Sequence, residues 1–199
     1  MIVAVPSTFT SNTYNRFVRA YVIGELARFC AMFGVTGVWV YYDPDPKFES
    51  HGLGRYVVKL LKYSVTPPWL KKKVFPLKET DKYMGVIPPL NILAHEKVVV
   101  EGFWWGYTKK VGKKILVISG NKKVEMRANA VQERGYKGKD RELVLMEENV
   151  PVSIWNFPRK PYMGFYPVYL AKGIKEVVKK ARELNYQLIA TSKKGMDIK

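Results

Sequence analysis

Apolar residues change their spacing several times along this chain, and each change predicts a new element. Residues 2–5, Ile-Val-Ala-Val, form a short β-branched run closed by Pro6, the pattern of a buried strand. Residues 7–13 offer several side-chain oxygens that can cap a helix. From Tyr14 onward Phe17, Val18, Tyr21, Val22, Leu26, Phe29, Cys30 and Phe33 recur at helical spacing, and Gly34 stands where a helix ends in glycine. Residues 35–42 are rich in Val, Trp and Tyr and stop at Asp43-Pro44, which predicts a second strand. Helical spacing returns over 54–63 through Tyr56, Val57, Leu60 and Leu61. Strand, helix, strand, helix predicts a βαβ unit and a parallel sheet.

The rhythm shortens near Lys97. Residues 97–105, 114–119, 123–127, 142–146 and 152–157 read as short strands punctuated by Gly106, Gly112, Gly120-Asn121, Gly135 and Gly138. Five strands at this spacing predict a small antiparallel barrel of OB-like type. A strand over 162–170 follows. A helix over 173–184 places Ile174, Val177, Val178, Ala181 and Leu184 on one face, and a last strand covers 186–191. The fold class is therefore α/β: a parallel-sheet domain of residues 1–95 and 162–199, interrupted by an inserted barrel of residues 96–161.

Charge narrows the function. Lys and Arg number 34 against 17 acids, a formal net charge of +17 on 199 residues. Such a field attracts polyanions, and RNA is the expected partner; a lysine-rich solubilising surface is the plainer alternative. The single cysteine, Cys30, excludes an internal disulfide and a thiolate metal site. No signal peptide, spanning segment or basic amphipathic stretch is legible, so a cytoplasmic protein without a membrane partner is expected. No metal site is expected, and no phosphate loop, nucleophile elbow or HExxH motif occurs.

The run 63–95, YSVTPPWLKKKVFPLKETDKYMGVIPPLNILAH, stands out. It carries two Pro-Pro pairs, three consecutive lysines, a tryptophan and a histidine, and it reads as a positioned functional connector. With LARFCAMFGVTGVWVYYD (26–43), Glu101-Gly102, MGFYPVY (163–169) and LIATS (188–192), it resembles the SPOUT superfamily of knotted RNA methyltransferases. Within that superfamily the chain is similar to the archaeal and eukaryotic branch with a barrel inserted in the methyltransferase domain. The chain departs from that pattern at Ala94 and Val100, and the family's knot-forming segment does not follow the match to 188–191. The resemblance implies an S-adenosylmethionine-dependent methyltransferase acting on an RNA base, with a uridine of ribosomal RNA as a plausible target. The alternatives are a non-catalytic RNA-binding module and a subunit completed by a second chain carrying the knot. A homodimer is a further possibility that the family suggests.

Candidate site residues follow. The resemblance implies a catalytic role for Arg28, with a surface ion pair as the plain alternative, and cofactor contacts from Thr191 and Ser192. For RNA the candidates are Lys71, Lys72, Lys73, Trp104, Trp105, Lys109, Lys110, Lys113, Lys114 and Arg127, as phosphate contacts interleaved with stacking rings. Adjacent tryptophans on a strand point to opposite faces, so one of Trp104 and Trp105 is expected inside the barrel and the other exposed to bases. Trp69 and Phe75 are expected as core anchors, and His95 as a structural hydrogen-bonding residue. The last strand is expected to leave an open edge, making the α/β part the less stable half.

Overall fold

The computed structural model describes residues 1–47, 49–76, 81–96 and 101–191. The chain begins with β1 (Ile2–Pro6), α1 (Arg16–Met32), β2 (Gly37–Tyr41), α2 (Ser50–Val65) and α3 (Pro68–Val74). Then come β3 (Phe103–Val111), β4 (Lys114–Ser119), β5 (Lys122–Arg127), the short helix α4 (Ala128–Gln132), β6 (Leu143–Glu147) and β7 (Val150–Pro151). It returns through β8 (Tyr166–Leu170) to α5 (Ile174–Glu183).

The βαβ unit forms as expected. β1 and β2 pair in parallel, and β8 pairs in parallel on the other side of β2, giving the order β1-β2-β8. β2 is covered on both sides, as a central parallel strand should be. Val38 and Val40 join Ile23, Ala27, Leu60 and Leu61 of α1 and α2, while Trp39 packs with Leu170, Val177 and Ala181 beneath α5. α1 starts at Asn15, whose side chain accepts from the Phe17 N–H at 2.8 Å. It stops at Gly34, whose φ of 60° lets the Val35 N–H reach the Cys30 carbonyl at 2.9 Å.

The second sheet is antiparallel, in the order β5-β4-β3-β6-β7, and curls into a half-barrel. The closed barrel is thus corrected: β5 and β7 pair with one neighbour each, so both are edges among the described residues. The two sheets share one core. The Trp105 ring lies 5.8 Å from that of Phe157, Phe157 lies 6.2 Å from Tyr166 on β8, and Tyr136 meets Tyr166 edge-on at 5.4 Å.

Three expected elements shift, and one unexpected element appears. Residues 186–191 form no strand: the Tyr186 N–H closes the end of α5 on the Ala181 carbonyl, and Leu188 and Ile189 are exposed. β propensity needs a neighbouring ladder to become a strand, and these residues have none among the described ones. Residues 152–157 form no strand: the Val152 N–H still reaches the Leu145 carbonyl at 2.9 Å, but the Leu145 N–H donates to the Tyr136 hydroxyl at 3.2 Å, and the Ile154 N–H bonds to the Arg134 carbonyl at 3.0 Å. The strand expected over 97–105 begins at Phe103, and residues 97–100 lie outside the described residues. Residues 128–132, unassigned from the sequence, form α4.

The second half of the 63–95 connector is packed in the core. Ile87, Leu90, Ile92 and Ala94 are buried, and the backbone of α1 at Gly24 lies so close that a Cβ there would sit 2.7 Å from Pro88 Cδ. One Pro-Pro pair therefore has a plain structural job, wedging against a glycine that leaves room for it.

Candidate nucleic-acid interface

The β3–β4 hairpin carries the densest exposed charge. Val111 pairs with Lys114 across a two-residue turn, with Gly112 at φ 59°. Lys109, Lys110, Lys113 and Lys114 all stand exposed around this tip. Lys114 forms an ion pair with Glu125 of β5, and the backbone N–H of Lys110 bonds to Asp140. Lys122, Lys123 and Arg127 are exposed along β5, the edge beside them. Exposed lysine ammoniums on a short turn are well placed to meet phosphates, each displacing counterions from the polyanion. The same lysines and arginine also blunt the β5 edge against strand addition.

The two tryptophans correct the expectation of a stacking platform. Trp104 is 8% exposed and Trp105 3%. The alternation holds, but both rings are covered, Trp105 by Phe157 and Trp104 by Gly106, where a Cβ would sit 2.9 Å from the indole. The Trp104 Nε1–H donates to the Glu148 carbonyl at 2.6 Å, and the Lys122 ammonium sits 5.7 Å from the centre of a Trp104 ring. The exposed tryptophan is Trp69 on α3, at 49%, which overturns its reading as a core anchor. Phe75 does pack against the core, meeting Tyr63 edge-on at 5.5 Å.

The cations of α2 and α3 behave differently. Lys72 and Lys73 are exposed, but Lys71 lies back over the Tyr63 ring at 4.3 Å, and burial lowers its pKa. Lys62 donates to the Tyr166 hydroxyl at 3.2 Å and lies 4.8 Å from that ring centre. Its pKa is lowered, first by burial and then by Lys137, with Glu142 opposing. Tyr166 is pushed well above the ordinary tyrosine range by burial and by Tyr136 and Glu142. Lys62 and Tyr166 were missed from sequence; the available signal was the α2 stripe Arg55, Val58, Lys59, Lys62.

His95 has the structural role expected. Its Nδ1 lies 3.1 Å from the Leu90 carbonyl and its Nε2 2.9 Å from the Val65 carbonyl. Neutral imidazole can donate to only one of them. Burial outweighs both carbonyls and lowers the pKa, and Lys71 adds to the lowering.

The remaining candidates are dispersed. Arg28 is exposed on α1 and pairs with Glu25 one turn back at 3.3 Å. Thr191 is exposed and in no regular element, and Ser192 lies outside the described residues. No group of three metal-ligating side chains occurs, and no helix is long and apolar enough to cross a membrane, among the described residues.

Fold and surface together define a mixed α/β chain, a parallel three-stranded layer joined to an antiparallel half-barrel with a basic hairpin. A family model described as "Putative RNA methyltransferase" matches residues 1–199, and the chain belongs to that family. It is similar to the 28S rRNA (uridine-N(3))-methyltransferase of Drosophila melanogaster, 31% identical over 47% of this chain and 23% of that protein. The human protein of the same name is 29% identical over 47% of this chain and 28% of its own length. An uncharacterized protein of Halobacterium salinarum is 33% identical over 45% of this chain and 31% of its own length. The chain thus spans under a third of the length of each of these relatives.

Proposed function

We propose that the chain works in RNA methylation of SPOUT type, with the lysine hairpin of β3 and β4 as its RNA-contacting surface. The names of the fly and human relatives make a ribosomal uridine nitrogen the favoured target. One observation carries the RNA contact: four lysines converge on an exposed turn in a chain of net charge +17. In this reading residues 1–95 and 162–199 make the SPOUT-like domain and 96–161 the inserted half-barrel unit. Arg28 faces the RNA, since its exposed pair with Glu25 exchanges readily for a phosphate. S-adenosylmethionine, when bound, supplies the electrophilic methyl group.

The described residues do not by themselves fit that cofactor, because Thr191 stands exposed outside any strand. This favours a second reading, in which the chain supplies RNA affinity and a complementing chain supplies the cofactor pocket.

The test is RNA binding followed by fluorescence anisotropy across a salt series. Changing Lys109, Lys110, Lys113 and Lys114 together to Gln should weaken binding. Each lost phosphate contact should also reduce the log–log salt slope by about 0.7–0.9. An unchanged affinity and slope would remove the hairpin from the RNA surface.

A further inference from the structure

A cavity of about 390 Å³ opens between α2 and the loop preceding β6. That volume falls within the ~300–1,000 Å³ typical of small-molecule sites. Its lining combines apolar side chains, Phe75, Val58 and Ile154, with cationic ones, Arg55, Lys62 and Lys137.

The charges in it are unevenly used. Lys59 also lines the cavity but is engaged by Asp81. Glu142, the acid in the wall, accepts from the backbone N–H groups of Lys137 at 2.9 and 3.0 Å and of Gly138 at 2.9 Å. Its oxygens thus hold the loop, and its charge favours the Lys62 ammonium without a hydrogen bond to it. None of the ion pairs among the described residues includes Arg55, Lys62 or Lys137. The Lys62 ammonium has three N–H donors, yet its polar contact is a neutral hydroxyl, Tyr166, at 3.2 Å. A partly buried ammonium with spare donors has hydrogen bonds to offer an anion that enters the cavity.

We propose that this cavity binds one nucleotide, its phosphate held by Lys62 with Arg55 and Lys137 and its ring against Phe75, Val58 and Ile154. The proposal rests on the RNA reading above in taking the nucleotide to belong to an RNA strand. The shared chemistry is a nucleotide phosphate, whether free or strand-borne. The site is distinct from the hairpin: none of its residues lies on β3 or β4.

Calorimetric titration of the full chain with uridine monophosphate, uridine and inorganic phosphate tests the proposal. The monophosphate should bind at least tenfold tighter than either fragment alone. Lys62→Met keeps the stem, removes the charge, and should cost at least tenfold in affinity, as losing a charge-assisted hydrogen bond does. Lys137→Gln, at an exposed position, should cost several-fold without disturbing the core. Equal binding of uridine and its monophosphate, no binding at millimolar concentration, or wild-type binding by both variants would each overturn the site. Displacement of the monophosphate by a uridine oligonucleotide supports the strand-borne source, and failure to displace it overturns that source. The hairpin variant separates the two readings. It should still bind the monophosphate normally, and if it also binds RNA like the wild type, the hairpin assignment fails while the cavity stands.

Discussion

Two lysines of the helical layer and three at the tip of the half-barrel handle positive charge in opposite ways. On α2 and α3, Lys62 and Lys71 lie against tyrosine rings with their pKa values lowered by burial. On the half-barrel, Lys109, Lys110 and Lys113 reach into solvent. The difference separates two uses of a lysine. An exposed one contributes to a long-range field that salt screens. An enclosed one contributes a short-range contact whose strength depends on what completes its shell. The formal charge of the whole chain cannot distinguish them.

The largest expected effect tests whether these regions are one unit at all. Trp105→Ala removes the ring that connects β3 through Phe157 to Tyr166. It should cost about 3–5 kcal/mol in denaturant unfolding, in line with large aromatic truncations in cores. Far-ultraviolet dichroism and tyrosine absorbance should shift together. Separate transitions would show that half-barrel and helical layer unfold independently.

Next in size are the pH effects of the enclosed cations. Lys62 has a folded pKa below 10.5, so the folded state binds fewer protons than the unfolded one between those values. Its charge therefore destabilises the fold below the folded pKa, and the penalty fades as pH rises toward 10.5. Lys62→Met should raise the melting temperature at neutral pH, with the gain shrinking in alkali. No such convergence with wild type would mean that the ammonium is well solvated. His95 has a folded pKa below 6.5. Its contribution to stability is present above pH 6.5 and is lost as pH falls through the folded value. His95→Gln should flatten that acid limb, measured as melting temperature between pH 7 and 5.

The smallest effect is expected at the surface pairs. Arg28→Ala and Glu125→Gln should each change stability by no more than about 1 kcal/mol, the usual range for exposed ion pairs. A loss of RNA affinity in Arg28→Ala, at unchanged stability, would mark that side chain as functional.

Legibility in the sequence followed locality. β4 was read to the residue because Gly112 and Gly120-Asn121 bracket a compact apolar run. α5 was placed within a residue at either end, with Val177 and Ala181 inward as expected, although Ile174 is exposed. Residues 186–191 looked equally strand-like, yet strand formation depends on a partner that no local pattern reveals. Trp104 and Trp105 failed for a similar reason: alternation says that neighbouring side chains point to opposite faces and nothing about what covers each face. The cavity was illegible because Lys62 meets Tyr166 across 104 positions of chain. In sequence it was one lysine among many.

The chain has five tryptophans, and their burial makes one of them a spectroscopic label. Trp39, Trp104 and Trp105 are buried, and Trp155 is half-buried with the Lys180 ammonium 4.2 Å from its ring centre. Trp69 alone is largely open to solvent, on the same short helix as the exposed Lys72 and Lys73. Iodide, drawn to those lysines, should quench Trp69 selectively while the other indoles keep their emission. An RNA arriving at α3 would exclude iodide and restore the lost intensity, so the native protein carries its own optical readout of that approach.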